Sequence, residues 1–243
     1  VEKNIIPSIK TNIIGSYRCI EAAIESKVSD FIFISTDKAV RPTNIMGATK
    51  RFSELLLQKM SLKHQGTKLS IVRFGNVLGS SGSVVPLFNK QIKNGGPITL
   101  TDDSVVRYFM TIMEASQLVI QASSIDSEGG IFVLDMGEPI RIYDLAYDMI
   151  KLAGMEILNN DNPNGDIEIK ITGLRSGEKL YEELSHSHVL EKTSHPMISK
   201  AEESINVDDI QKFLDLILVG LKENDEEGLI KILALAPLEY KKQ

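Results

Sequence analysis

Residues 31–50 read Phe-Ile-Phe-Ile-Ser-Thr-Asp-Lys-Ala-Val-Arg-Pro-Thr-Asn-Ile-Met-Gly-Ala-Thr-Lys and hold the densest set of reactive side chains in the sequence. Thr36, Asp37 and Lys38 place a hydroxyl, a carboxylate and an ammonium side by side, just after the apolar run Phe31–Ile34. A carboxylic acid can give a proton and an amine can take one, so adjacent Asp and Lys suit a reaction that needs both an acid and a base. Met46 and Lys50 stand four apart, the spacing that shares one face of a helix. Singly, each residue is explained as well by a polar loop, a surface ion pair or helix-face filler. Their combination at one strand tip points to a site.

The elements that must hold these residues alternate between helical and strand patterns, as in a layered α/β fold with a mostly parallel sheet. Apolar residues recur near a helical period from Ser8 to Ser26. The run Phe31–Ile34 reads as a central strand buried on both faces, and open α/β sheets bind ligands at the carboxyl ends of such strands. A Pro42-Thr43-Asn44 turn leads into a helix over 46–63, then a strand over 69–74 and a loop over 75–83. Helices over 86–93, from 111–114 to about 123, and over 142–153 alternate with strands over 98–100 and 131–136. Beyond them, 159–166 is rich in turn residues, 167–171 alternates as a strand and 193–203 reads as irregular. Two amphipathic helices are expected over 207–222 and 226–236.

Composition excludes several classes. The 243 residues carry 27 Lys+Arg against 33 Asp+Glu, a net charge of −6 without a basic tract, so no nucleic-acid partner is expected. No apolar run is long enough to span a bilayer, so no membrane contact is expected of this segment. Cys19 stands alone, which excludes an internal disulfide and fits a reducing compartment; its helix position reads as structural. His186, His188 and His195 lack the partners of a metal site and read as exposed loop residues, so no metal is expected.

Five segments follow one another in a telling order: Ser35–Lys50, Arg73–Phe88, Arg107–Thr111, Phe132–Gly137 and Gly173–Lys179. Together they resemble the extended short-chain dehydrogenase/reductases. Within these they resemble the nucleotide-sugar 4,6-dehydratases of polysaccharide biosynthesis, the CapD-like group acting on UDP-N-acetylglucosamine. The resemblance reaches about Leu184. It implies a partial Rossmann-like, doubly wound parallel sheet over 1–155, with a substrate-lobe insertion near 80–110. A smaller C-terminal substrate-binding lobe with the terminal helices is then expected over 156–243.

The resemblance also implies an NAD-dependent lyase. A hydride leaves C4 of the sugar, water is lost across C5 and C6, and the hydride returns to C6, giving a 4-keto-6-deoxy sugar nucleotide. By analogy Asp37 is the acid, Lys38 the base, Thr36 the partner of the C4 oxygen and Lys50 the holder of the nicotinamide ribose. Ser35, Lys50, Phe74, Gly75 and Val77 are implied to contact NAD. Asn76, Val84, Pro86, Arg107, Arg175 and Glu178 are implied to bind the UDP-sugar, with both arginines on the diphosphate and Glu178 on the ribose. Met46 replaces the tyrosine of most of the superfamily; a thioether has no proton to exchange, which leaves the acceptor for the oxidation step open. The same replacement marks the CapD-like branch. Met113 replaces an expected proline.

The dinucleotide fingerprint G-x-G-x-x-G is absent, since Gly75, Gly79 and Gly82 have the wrong spacing. Most of the first Rossmann half is expected to lie upstream, and the chain as written is expected to bind NAD weakly or not at all. The resemblance further implies a cytoplasmic domain of a parent anchored by upstream membrane helices. It implies a homo-oligomer paired through the helices near 8–26 and 46–63, whose apolar residues exceed one narrow stripe. Two alternatives stay open: a nucleotide-sugar C4 epimerase, and a truncated non-catalytic assembly module.

Overall fold

The computed structural model describes residues 2–80, 82–125, 129–186, 190–203 and 207–241. The chain opens with α1 (Ile5–Ile9), a π-helical segment (Lys10–Gly15), α2 (Ser16–Glu25), β1 (Asp30–Ile34) and a 3-10 turn (Asp37–Ala39). Next come α3 (Ile45–Lys63), β2 (Lys68–Arg73), β3 (Asn76–Val77), α4 (Val84–Lys93) and β4 (Ile98–Leu100). β5 (Val106–Arg107), β6 (Phe109–Met110), α5 (Ile112–Ala122), β7 (Gly130–Leu134) and β8 (Ile140–Arg141) follow. Then α6 (Ile142–Leu152), β9 (Ile157–Leu158), β10 (Ile167–Ile171), β11 (Leu190–Lys192) and β12 (Ile198–Ala201) lead to α7 (Ile210–Glu223) and α8 (Glu226–Leu235). Among the described residues no helix is long and apolar enough to cross a membrane.

The chain forms two units. Val1–Phe74, Gln117–Asp135 and Glu183–Gln243 make the first; Gly75–Ser116 and Met136–Glu182 make the second. The first unit is a Rossmann-like α/β layer with strand order β1-β2-β7-β12-β11. β1, β2 and β7 are parallel, and β12 and β11 return antiparallel. Phe33 pairs with Ile71 and Ile71 with Ile131, so aromatic and β-branched residues line up across the sheet. Helices α2 and α3 cover this face through Ile20 and Leu57. Behind α3 lies a second core, where Ile9, Ile13, Phe52 and Leu55 meet Leu214, Ile217, Leu229 and Leu233 of α7 and α8. Asp225 starts α8 by accepting a hydrogen bond from the Gly228 amide at 2.9 Å.

The second unit is built on the parallel order β4-β10-β9. Phe88 and Ile92 of α4 and Ile142, Ala146 and Ile150 of α6 pack with Ile98, Ile157 and Ile167. Gly165 brings β9 and β10 together: a Cβ there would stand 2.3 Å from the Ile157 carbonyl oxygen.

Several expectations are corrected. β1 is an edge strand among the described residues, not a central one; only Phe33 is buried and Ile34 is 50% exposed, because nothing described pairs with its outer edge. Residues 198–201 are not irregular but form β12, a run too short for its pattern to stand out. The two units interleave along the chain. The terminal helices join the first unit, because their apolar stripes close on α1 and α3. That closure also accounts for the extra apolar width of α3 within one chain. Cys19 is exposed, since α2 turns Ile20 and Ala23 inward instead.

If α7 belongs to this core, Leu214→Ala should cost about 2–5 kcal/mol in urea unfolding. A loss below about 0.5 kcal/mol would show that α7 contributes no core.

Candidate active site

The reactive triplet sits where β1 runs out. The Ser35 amide still donates to Val72 O at 2.8 Å, and the Asp37 amide donates to Phe74 O at 3.2 Å, which bends the chain across the tip of β2. Thr36, in extended backbone, caps the 3-10 turn. Its Oγ1 donates to Asp37 Oδ1 at 2.7 Å, and Lys38 Nζ donates to the same oxygen at 2.8 Å. Asp37 is fully buried and its Oδ2 has no hydrogen-bond partner among the described residues, while Thr36 and Lys38 remain partly exposed. Lys38 Nζ thus touches a carboxylate. The Ser35 hydroxyl is sealed inside, so Ser35 can offer a cofactor only backbone.

The chain returns to the tip through α3. Asn44 Oδ1 caps the helix by accepting from the Gly47 amide at 2.8 Å. Glu2 sets a carboxylate against the same helix end, accepting from the Ile45 and Met46 amides at 3.1 Å each. Gly47 is sterically required, because a Cβ there would lie 2.1 Å from the Lys38 carbonyl oxygen. Met46 and Lys50, one turn apart, are both partly exposed. Lys50 Nζ donates to the Ile34 carbonyl at 3.1 Å and lies 4.8 Å from the Phe33 ring centroid. Burial lowers the Lys50 pKa, and the Glu54 charge offsets part of that.

Under the tip lies a charge network that the sequence pattern did not reveal. Arg51, Glu54, Arg73 and Glu203 are almost wholly buried. Arg73 grips Glu54 as a fork, Nε to Oε1 at 2.8 Å and Nη2 to Oε2 at 2.7 Å, and pairs with Glu203 through Nη1. Arg51 Nη1 reaches Glu54 at 2.7 Å and Glu203 at 3.0 Å. Burial alone would raise the Glu54 pKa, but Arg73 and Arg51 outweigh it and bring it down to about 2. His186, expected to be exposed, is half-buried beside this network and contacts Glu239 at 3.1 Å. Burial and the charge of Arg51 lower its pKa. The signal in the sequence was faint: an Arg–Glu pair three apart on α3 and a lone arginine ending an apolar strand. His195 Nδ1 accepts from the Met197 amide at 3.1 Å within its own turn, and His188 lies outside the described residues. Among the described residues no group of three or more His, Cys, Asp or Glu could hold a metal ion.

The expected substrate residues belong to the second unit, with Gly75 and Val77. The Gly75 amide points at Met136 Sδ at 3.4 Å, the Asn76 amide donates to Tyr108 O at 2.9 Å, and Val77 pairs in register with Met110. Val84 and Pro86 form the first turn of α4. Arg107 does not face open space. It is 7% exposed and donates to the carbonyls of Val106, Lys179 and Leu180 at 2.7, 2.8 and 3.2 Å, with Glu178 at 3.6 Å. Buried guanidinium groups find acceptors where they can, and here those acceptors are backbone. Glu178 accepts from Thr101 Oγ1 at 2.9 Å and from the Arg175 amide at 3.1 Å, closing the Arg175–Glu178 turn. Arg175 is exposed.

Residues 1–203 match the family described as "Polysaccharide biosynthesis protein". The chain belongs to that family. Within it, the chain is 45% identical over 237 residues to capsular polysaccharide biosynthesis protein CapD of Staphylococcus aureus, covering 96% of this chain and 37% of that one. It is 51% identical over 184 residues to probable polysaccharide biosynthesis protein EpsC of Bacillus subtilis, covering 76% of this chain and 29% of that one. The chain therefore spans well under half the length of these relatives. The X-ray structure of Pen from Bacillus thuringiensis superposes with a TM-score of 0.70 at 34% identity, over 88% of this chain and 70% of that one.

Two outcomes test this geometry. Gly47→Ala should disorder the Asp37–Lys38 turn and lower stability by about 1–3 kcal/mol in urea unfolding, whereas an unchanged midpoint would mean that the turn and α3 are not in contact. Because the Glu54 pKa falls from 4.5 to about 2 on folding, its contribution is complete above about pH 4.5 and lost as pH drops towards 2. Glu54→Gln should cost about 3–5 kcal/mol at pH 7 and flatten the acid limb of the stability curve. A parallel downward shift of the whole curve would deny that role.

Proposed function

We propose that the chain is the catalytic part of an NAD-dependent dehydratase converting a UDP-N-acetylhexosamine, UDP-N-acetylglucosamine first, to its 4-keto-6-deoxy form for polysaccharide biosynthesis. One observation carries this reading. Asp37 and Lys38 share a hydrogen bond at 2.8 Å, and the second Asp37 oxygen is buried without a partner among the described residues. A carboxylate oxygen left unpaired in a dry site needs a partner, and the hydroxyl of a bound sugar is one.

The pair suits elimination because its proton can be shared. Passing one proton along the contact leaves an amine able to take a proton and a carboxylic acid able to give one. With C4 at the ketone level, Lys38 takes the C5 proton and the electron pair of that bond forms the C5–C6 double bond. The C6–oxygen bond breaks and Asp37 supplies the proton that completes water. The ion pair is then restored. Lys38 must swing off Asp37 to reach C5, and that movement uncovers the buried acid. Thr36 Oγ1, hydrogen-bonded to Asp37, is the group we assign to the C4 oxygen.

NAD supplies reversible hydride acceptance when bound. The residues at the tip fit its nicotinamide ribose: Lys50 is a partly exposed donor held at the Ile34 carbonyl, and burial disfavours its charge. Met46 offers an apolar, proton-free surface one turn before it. In the second unit the exposed Arg175 is the residue we assign to the diphosphate, and Arg107 supports the Glu178 turn from behind.

Incubating the whole protein with UDP-N-acetylglucosamine should yield a product lighter by one water. Lys38→Ala and Asp37→Asn should each slow it by about 10²–10⁴-fold. A product of unchanged mass would identify a C4 epimerase instead, and a Lys38→Ala variant as fast as wild type would remove Lys38 from the reaction.

A further inference from the structure

Between the reactive turn and α3, the chain takes a backbone form that side chains avoid. Arg41 has φ +41, in the left-handed region, and is followed by Pro42. Asn, Asp and Gly adopt that region readily, whereas a long side chain is strained there, and a following proline favours extended backbone. Something must hold Arg41 in place. Its Nη1 pairs with Glu183 Oε1 at 2.6 Å, and its Nη2 donates to the His186 carbonyl at 3.0 Å. Both partners lie on the segment with which the chain re-enters the first unit at Glu183. The neighbouring Pro42 carbonyl accepts from the Lys241 amide at 3.0 Å, so the loop is tied on both sides.

We propose that Arg41 is a positioning residue for the Asp37–Lys38 pair, its ion pair with Glu183 clamping the left-handed turn that reverses the chain between Lys38 and Gly47. The inference rests on the reading of Asp37–Lys38 as the reaction centre. The turn matters because its two ends touch: Gly47 lies against the Lys38 carbonyl with no room for a Cβ. If Arg41 relaxed to extended backbone, the chain would leave in another direction and that contact would open. Lys38 would then lose its fixed approach to Asp37. An ion pair whose side chains are 41% and 43% exposed adds little to global stability. A strained residue, though, sits close to a balance, and a weak tie can tip it.

This separates the turn from the guanidinium that maintains it. Arg41→Ala keeps the strain and loses the clamp; Glu183→Gln keeps Arg41 and weakens the clamp. Arg41→Asn removes the clamp but adopts the left-handed turn readily. Hydrogen–deuterium exchange of residues 38–48 in this chain should accelerate by about tenfold in Arg41→Ala and Glu183→Gln, and stay near wild type in Arg41→Asn. In the whole protein with UDP-N-acetylglucosamine, kcat should fall by a similar factor in the first two with KM little changed, and recover in Arg41→Asn. Equal exchange in all variants, or Arg41→Asn as fast in exchange as Arg41→Ala, would overturn the clamp. Altered exchange with unchanged kcat would overturn its positioning role. Should wild type release no dehydrated sugar, the proposed reaction fails, while exchange still decides the clamp.

Discussion

Two arginines and two glutamates shut away from water must satisfy one another or not be there at all. Each buried charge carries a desolvation penalty of several kcal/mol, recovered only if its partners stand at hydrogen-bond distance. Arg51, Glu54, Arg73 and Glu203 meet that condition from three places: α3, the end of β2 and the segment after β12. Their positions are the ones that matter for the tip. Arg51 follows Lys50, and Arg73 precedes Phe74, whose carbonyl accepts the Asp37 amide. A shift of either element would leave a buried charge unpaired, so the network holds the reactive turn from both flanks.

Helix α3 therefore serves three neighbours at once. Its first turn crowds the Lys38 carbonyl through Gly47, its next turn carries Lys50 to the Ile34 carbonyl, and its opposite face closes the second core against α7. Nineteen residues with so many obligations leave few positions free to vary. The exposed side of the tip is different. Thr36, Lys38, Met46 and Lys50 are each partly open.

Much of this was legible in the sequence, for identifiable reasons. Long periodic segments such as α3 and α6 and apolar strands such as β2 and β7 announce themselves by pattern, because each buries a face or both faces. The triplet at the strand tip was readable because consecutive unlike functional groups are uncommon after an apolar run. What could not be read was pairing at a distance. Nothing local to Arg73 says that Glu203 will meet it, and nothing in α7 says which core it joins. Arg107 is another case: nothing local to it says that it will donate to the carbonyls of 106, 179 and 180. The edge position of β1 and the short β12 were missed because burial and length depend on neighbours absent from the local pattern.

The reaction itself can be followed through one hydrogen. In the proposed mechanism the proton that Lys38 removes from C5 exchanges with deuterated water, whereas the hydride that travels from C4 to C6 does not. The whole protein acting on UDP-N-acetylglucosamine should give a product with one deuterium, at C5, and none at C6, which receives the hydride from C4. A product without deuterium at C5, or with the label elsewhere on the ring, would contradict an elimination centred on Asp37 and Lys38.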